Sequence, residues 1–375
     1  MDTQYFADPH LAELHAVGAA LAKSAFHAAD LSKPIPADEL HSIFASLAPT
    51  GYLGGLVAKA DGGSEMSGEE FGALLEGVAE AAPYLSNHNV QREIALAGSS
   101  SLKEKWLGPL LEGKAIGTIA VTEPSGGSDL EHLHTRVETR DDGYALTGQK
   151  LWAVHTMTAD VAIVLAKGPE GEPIRVVADL NHESVRRQQI PTSGLRFLTF
   201  GLLQFMNTPI AEDDILRDID DDAIALMVAT DRALTAIQAT SVAQRAIHSA
   251  VKQLSTRRIR GTVVTETDVI RAEIGRMSAS VEAARVFAYH ALKFIDMQQP
   301  GVEALAAGAK SHATDVCSKV CNEAVELCAA EGLVDGSEVI RLRNDLQMLA
   351  TGHGTSLVSA LKWGEYVIDQ SQIRR

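Results

Sequence analysis

The run Ala120-Val121-Thr122-Glu123-Pro124-Ser125-Gly126-Gly127-Ser128-Asp129 carries an apolar stretch into a loop of small residues. Gly126 and Gly127 let the backbone approach a ligand closely. Their N–H groups, with the hydroxyls of Thr122 and Ser128, offer hydrogen-bond donors. The same run also reads as a simple glycine-rich turn. About twenty residues on comes Thr147-Gly148-Gln149-Lys150-Leu151-Trp152, ending in a large aromatic. Other chemistries find less support. Cys317, Cys321 and Cys328 are spaced to line one helix face and form no CxxC pair, whereas thiolate metal sites usually need four ligands. His88, His155 and the other histidines show no metal spacing such as HExxH, and no Ser/His/Asp order suggests a hydrolase. No metal site is expected.

Three blocks must position these residues. From Asp8 to about Glu112 apolar residues recur at helical spacing, as in Leu11, Leu14, Val17 and Leu21, or Phe71, Leu74, Leu75 and Val78. Ser67, followed by Glu69 and Glu70, predicts a capped helix start with acids at the positive end of the helix dipole. At Ile116 the pattern changes to short strands: 116–121, 143–152, 161–165, 174–180 and 195–205, several bounded by turn residues such as Asp142-Gly143 and Gly168-Pro169. From Ile224 long amphipathic patterns return, with the lengths of an antiparallel bundle. The expected division is an N-terminal helical domain over 1–115, a β-barrel domain over 116–222 and a C-terminal four-helix bundle over 223–375, a mainly α fold with a β insert.

Composition narrows the partners. The chain has 375 residues, 46% of them hydrophobic, and 49 acidic against 33 basic residues give a formal net charge of −16. A nucleic-acid backbone would be repelled over most of such a surface, so an anionic ligand must meet a local basic site. The polar Met1 to Phe6 matches neither an export signal nor a transit peptide. The longest apolar runs fall short of the roughly 20 residues that cross a bilayer. The sequence predicts a cytoplasmic protein with no membrane and no nucleic-acid partner.

The two linked motifs and the order of the blocks resemble the acyl-CoA dehydrogenase flavoprotein family. The resemblance extends over almost the whole chain: Leu47 to Glu80 is similar to the family's N-terminal segment, and Gly194-Leu195-Arg196 stands where a late β-strand begins. It implies FAD as cofactor. In that family the TEP-x-x-GSD loop and the Trp pack against the isoalloxazine ring, which implies cofactor contacts from Val121, Thr122, Gly127, Ser128, Trp152 and Val154. Ser128 would also lie near the CoA of a thioester substrate. Arg257 matches the arginine that reaches the flavin pyrophosphate of a neighbouring subunit, so the resemblance implies a homo-oligomer, a dimer or tetramer, with a shared flavin site. The usual aromatic three residues later is Arg260. The family's Gln and Gly-Gly stretch reads Glu326-Leu327-Cys328-Ala329-Ala330-Glu331-Gly332. A carboxylate beside phosphate is repulsive there, and Ala takes a positive φ less cheaply than Gly.

The family desaturates acyl thioesters by taking the α-proton with a carboxylate while the β-hydrogen leaves as hydride to flavin N5. Many members place that carboxylate in an E-G-T-S motif, which here reads His353-Gly354-Thr355-Ser356. Thr355 keeps a flavin-contacting position, and the backbone N–H of residue 353 can still hold a thioester carbonyl. Other members carry the base on the first long helix after the β block, immediately before an Arg. That dipeptide is Asp231-Arg232, making Asp231 the expected base and Arg232 a substrate-side residue. Asp231 would otherwise cap the helix or pair with Arg232. His353 stands as a base, an imidazolium or a polar pocket wall. Three activities stay open: α,β-dehydrogenation of an acyl-CoA or acyl-carrier thioester, flavin monooxygenase or oxidase chemistry on a related substrate, and a catalytically reduced subunit of a heteromeric dehydrogenase.

Overall fold

The computed structural model describes residues 6–85, 88–127, 133–141, 143–217 and 219–373. The N-terminal block contains α1 (Pro9–Ala25), α2 (Ala37–Leu47), α3 (Gly68–Ala79) and α4 (His88–Ala97). Ser67 starts α3 as the sequence predicts: its hydroxyl accepts from Glu70 N–H while the Glu70 carboxylate accepts from Ser67 N–H. The helices α1 and α3 touch through glycines. A Cβ at Gly18 would lie 2.2 Å from Leu74 O, and one at Gly77 would lie 2.2 Å from His15 O.

The middle block is one eight-stranded sheet: β1 (Gly117–Ala120), β2 (Arg136–Arg140), β3 (Gly143–Val154), β4 (Val161–Lys167), β5 (Pro173–Asp179), β6 (Val185–Gln189), β7 (Phe200–Ile210) and β8 (Ile215–Leu216). The order is β6-β7-β3-β2-β4-β5-β8, with β1 pairing in parallel to β4. Three of these strands, β2, β6 and β8, are absent from the sequence reading. Both β2 and β6 bury a single side chain each, Val137 and Val185, so there is no apolar alternation to detect. The strand expected from Leu195 begins only at Phe200. Leu195 itself takes a φ of 48°, and its N–H donates to the buried Asp345 carboxylate at 2.5 Å.

The C-terminal block contains α5 (Asp221–Thr256), α6 (Asp268–Asp296), α7 (Val302–Cys328), α8 (Glu338–Thr351) and α9 (Ser356–Ile373). Its central member is α5, 36 residues long, with an almost continuous buried run from Ala233 to Ala243. Helix, sheet and helix blocks share one large core. Leu74 and Phe71 of α3, Val164 and Phe205 of the sheet, and Leu234 and Ile237 of α5 all belong to it. Cys317, Cys321 and Cys328 are free and buried on α7. Burial pushes the Cys317 thiol well up and that of Cys321 up to about 12, so both stay protonated and unreactive.

Candidate active site

The loop after β1 is held by a buried ion pair. Lys150 on β3 is wholly inaccessible, and its Nζ donates to Val121 O and to Glu123 Oε1, each at 2.9 Å. The Glu123 carboxylate also accepts from His134 N–H at 2.8 Å and Thr135 N–H at 2.9 Å. Burial alone would raise its pKa, but Lys150 and the two N–H donors more than offset this and hold it at about 2. Leu151 N–H donates to Thr122 O at 2.8 Å, closing the loop onto β3. Gly127 then has no room for a side chain, since a Cβ would sit 2.8 Å from Thr122 Oγ1. Ser128 lies outside the described residues.

One turn of strand further, the β3–β7 register shifts between Leu151 and Ala153, a bulge centred on Trp152. Trp152 takes a φ of 64° and stays 49% exposed. A bulged, left-handed tryptophan half in solvent is strained and poorly covered, and both features suit a side chain aimed at a flat ligand. A cradle with no space for a Cβ at Gly127, beside an open aromatic face, fits a flavin ring.

Trp152 and Val154 form one wall of a cavity of about 100 Å³. Asp231, Thr235 and Gln238 of α5 form a second wall, with His353 from the turn between α8 and α9. Tyr84, His88 and Asn89 complete the rim. Asp231 lies well inside α5 and is 2% exposed, so it is not a cap; Asp220 fills that position, accepting from Asp222 N–H at 3.2 Å. Nor does Asp231 pair with Arg232, whose Nε donates to His353 O at 3.3 Å.

Three groups surround the Asp231 carboxylate. His88 Nε2 lies 2.8 Å from Oδ1, Asn89 Nδ2 donates to Oδ2, and His353 Nε2 lies 3.5 Å from Oδ2. Burial would raise the carboxyl pKa, but His353, His88 and the nearby Arg92 outweigh it and hold it at about 2. His353 is pushed the other way. Burial lowers its pKa, Asp231 partly restores it, and the cations Lys310 and Arg232 lower it again. The ring is therefore neutral near pH 7, with Nδ1 3.2 Å from Thr235 Oγ1. His353 also takes a φ of 52°, within a turn completed by Gly354 at 91°.

The second wall is braced from both sides. Glu93 and Arg175 tie α4 to β5, with Arg175 Nη1 3.3 Å from Glu93 Oε2, and burial pushes the Glu93 carboxyl up to about 7 despite that partner. Tyr84 N–H donates to Gln238 Oε1, and its ring centre lies 5.9 Å from that of His353.

Tyr84, Asn89 and Gln238 are absent from the sequence reading, which weighs His88 only as a metal ligand. Asp231, Thr235 and Gln238 carry a usable signal, because polar residues at i, i+4 and i+7 on an otherwise apolar helix mark one polar stripe. Nothing local marks Tyr84, His88 or Asn89. Of the expected cofactor residues, Trp152 and Val154 line the cavity, Val121, Thr122 and Gly127 belong to the loop after β1, and Arg257 and Thr355 lie elsewhere. Arg257 is the exposed residue after the end of α5, roughly 40 Å along the helix from Asp231 at 1.5 Å per residue. Arg258 begins a small hairpin with Thr262–Val263. Thr355 is exposed and accepts from Val358 N–H at 3.3 Å, starting α9. In the altered 326–332 stretch, Ala329 takes the costly positive φ, 54°.

A larger cavity of about 580 Å³ opens elsewhere, between Phe26 of the N-terminal block, Gln244 of α5 and Arg285 of α6. None of the expected cofactor or substrate residues lines it. Among the described residues no group of three His, Cys, Asp or Glu is placed to hold a metal, and no helix is long and apolar enough to cross a membrane.

The chain is similar to known proteins over most of its length. Residues 118–208 match the model of the acyl-CoA dehydrogenase middle domain, and residues 223–365 match that of the acyl-CoA dehydrogenase C-terminal domain. Benzylmalonyl-CoA dehydrogenase of Aromatoleum aromaticum is 27% identical over 332 residues, 85% of this chain and 88% of its own length. A subunit of the caffeyl-CoA reductase-Etf complex of Acetobacterium woodii is 28% identical over 341 residues, 85% of this chain and 87% of its own. The structure of a glutaryl-CoA dehydrogenase from Mycobacterium smegmatis in complex with FADH2 superposes with a TM-score of 0.83 at 18% identity, covering 97% of this chain and 95% of that one. With both family models matched over well over half its length, the chain belongs to the acyl-CoA dehydrogenase family.

Proposed function

We propose that the chain oxidises an acyl-CoA thioester at its α,β-bond, with Asp231 taking the α-proton. As an acyl-CoA dehydrogenase it is an oxidoreductase with FAD as its cofactor; when bound, FAD supplies the hydride acceptor. The observation that carries the reading is the shared cavity. A buried carboxylate, Asp231, lines the same space of about 100 Å³ as Trp152 and Val154, so an acyl chain seated there would meet the proposed base and the proposed flavin residues together. Val121, Thr122, Gly127 and Trp152 would hold the flavin ring, and Arg257 would reach the cofactor of a neighbouring copy.

The Asp231 carboxylate is a weak base while three groups hold it at about 2. An acyl chain seated against Asn89 takes away one donor and raises its basicity where the α-carbon arrives. The α-proton is only weakly acidic, so the thioester carbonyl also needs donors, and the N–H of residue 353 on its fixed turn suits that task. His353, neutral and beside Asp231, accepts or returns the proton as the pair relaxes. The same residues serve the reverse reaction, protonating the α-carbon of an enoyl thioester. That the Acetobacterium relative works in an Etf complex supports an electron-transfer protein as the electron acceptor.

Anaerobic mixing of the FAD-loaded protein with a panel of short and cyclic acyl-CoA esters tests this. Flavin bleaching is expected, and Asp231→Asn should slow it by about 10²- to 10⁴-fold, the usual size of a general-base contribution. Undiminished bleaching in Asp231→Asn would move the base to His353. In a parallel aerobic assay, oxygen uptake matching product formation would favour an oxygenase.

A further inference from the structure

Lys310 of α7 is wholly buried and makes no salt bridge among the described residues. Its Nζ instead donates to two backbone carbonyls, Ala350 O at 3.1 Å and Gly354 O. Ala350 lies in the last turn of α8, where helix carbonyls have no partner of their own, and Gly354 follows His353. One ammonium thus bridges the two ends of the turn that carries His353. One helical turn along α7, Thr314 Oγ1 lies 2.8 Å from Ser356 Oγ, so the same face also holds the first residue of α9. The His353 carbonyl between them accepts from Arg232. Three carbonyls of one short turn therefore rest on two cations.

That arrangement is expensive. Burial, and then the nearby Arg232, push the Lys310 ammonium down to about 8, with Asp315 only partly compensating. Helix capping alone does not require a buried charge, because water or a hydroxyl serves as well. The left-handed His353 and Gly354 need an external hold, which cations at both their carbonyls provide, and these cations polarise the N–H groups of Gly354 and Thr355 that share those peptides. The positive charge also lies behind the residue that faces the acyl cavity, where an enolate would develop.

We propose that Lys310 is a positioning residue of the acyl site: its ammonium clamps the 350–354 turn and, with Arg232, sets a positive field behind residue 353. The proposal rests on the thioester reading above and is separable from it. Lys310→Met, Lys310→Gln and Lys310→Arg are compared in the full FAD-loaded protein by kcat, KM and amide hydrogen exchange. The two amides to follow bracket the turn: Gly352 N–H donates to Leu349 O at 3.2 Å and Ser359 N–H to Thr355 O at 3.0 Å. Lys310→Met should exchange these about tenfold faster and lose about tenfold or more in kcat, with KM changed by no more than about threefold. Lys310→Arg, which keeps the cation, should recover most of kcat; Lys310→Gln, which keeps a donor without charge, should not. A kcat in Lys310→Met within about twofold of wild type, or equal activity in the Gln and Arg variants, overturns the proposal. Failure of all three to fold makes Lys310 a structural residue and overturns it too. A wild-type protein inactive on every thioester sinks the reading of the reaction, and the exchange rates at Gly352 and Ser359 then decide the clamp.

Discussion

Asp231 and His353 stand 3.5 Å apart, and pH would separate the roles proposed for them. The Asp231 pKa is held at about 2, so a free enzyme that uses it as base keeps its kcat/KM level as pH falls from about 7 to 4. His353 lies below the ordinary imidazole value for reasons of burial, so an acid limb just beneath that value would name His353 instead. Stability follows the same carboxylate. A depressed aspartate contributes fully above its unfolded pKa of about 3.9 and loses that contribution as pH falls toward 2, on the order of 2 kcal/mol. Urea midpoints at pH 7, 4 and 2.5 should therefore drop between the last two for wild type. The loss should be smaller in Asp231→Asn. At this scale the sequence reveals Asp231 and His353 only through family position. Their companions stay hidden because His88 reaches Asp231 across a separation of 143 residues, which no local pattern records.

Elements explain why the flavin side is far more legible than the acyl side. The loop 121–127 and the strand to Trp152 are neighbours in sequence, and their glycines and tryptophan advertise close approach and stacking. What the sequence conceals is the fastening, since Glu123 and Lys150 look like two surface charges until the sheet buries both. Breaking that fastening should show. Lys150→Met leaves Glu123 buried without its ammonium, a loss of about 3 to 5 kcal/mol for a severed buried pair. A lowered thermal midpoint with reduced FAD content is the expected result. An unchanged midpoint would mean that His134 and Thr135 suffice to hold the carboxylate. The strands β2 and β6 escape notice for a related reason. Polar strands that bury one side chain each are specified by their partners, not by their own alternation.

For the whole molecule, two features sit poorly in a single copy. Arg257, expected to reach the flavin pyrophosphate of a neighbouring copy, ends α5 far from the cleft of its own chain. Along α9, Leu357, Leu361 and Ile368 share a helical stripe and are 79%, 60% and 58% exposed. Such a stripe on a protein with net charge −16 predicts burial against another copy. Light scattering on a Leu357→Asp, Leu361→Asp double variant should show a smaller species than wild type. An unchanged mass would place the contact elsewhere.

The exposed tryptophan gives the molecule one more property. The chain contains three tryptophans, and Trp106 is 9% exposed while Trp152 is 49% exposed. Of these two, only Trp152 lines the cavity, so on the flavin reading proposed above its light emission would report whether an isoalloxazine ring lies over it. Cofactor release thus registers as a change of colour and intensity in the protein's own fluorescence, and the chain carries a gauge of its loading that needs no added label.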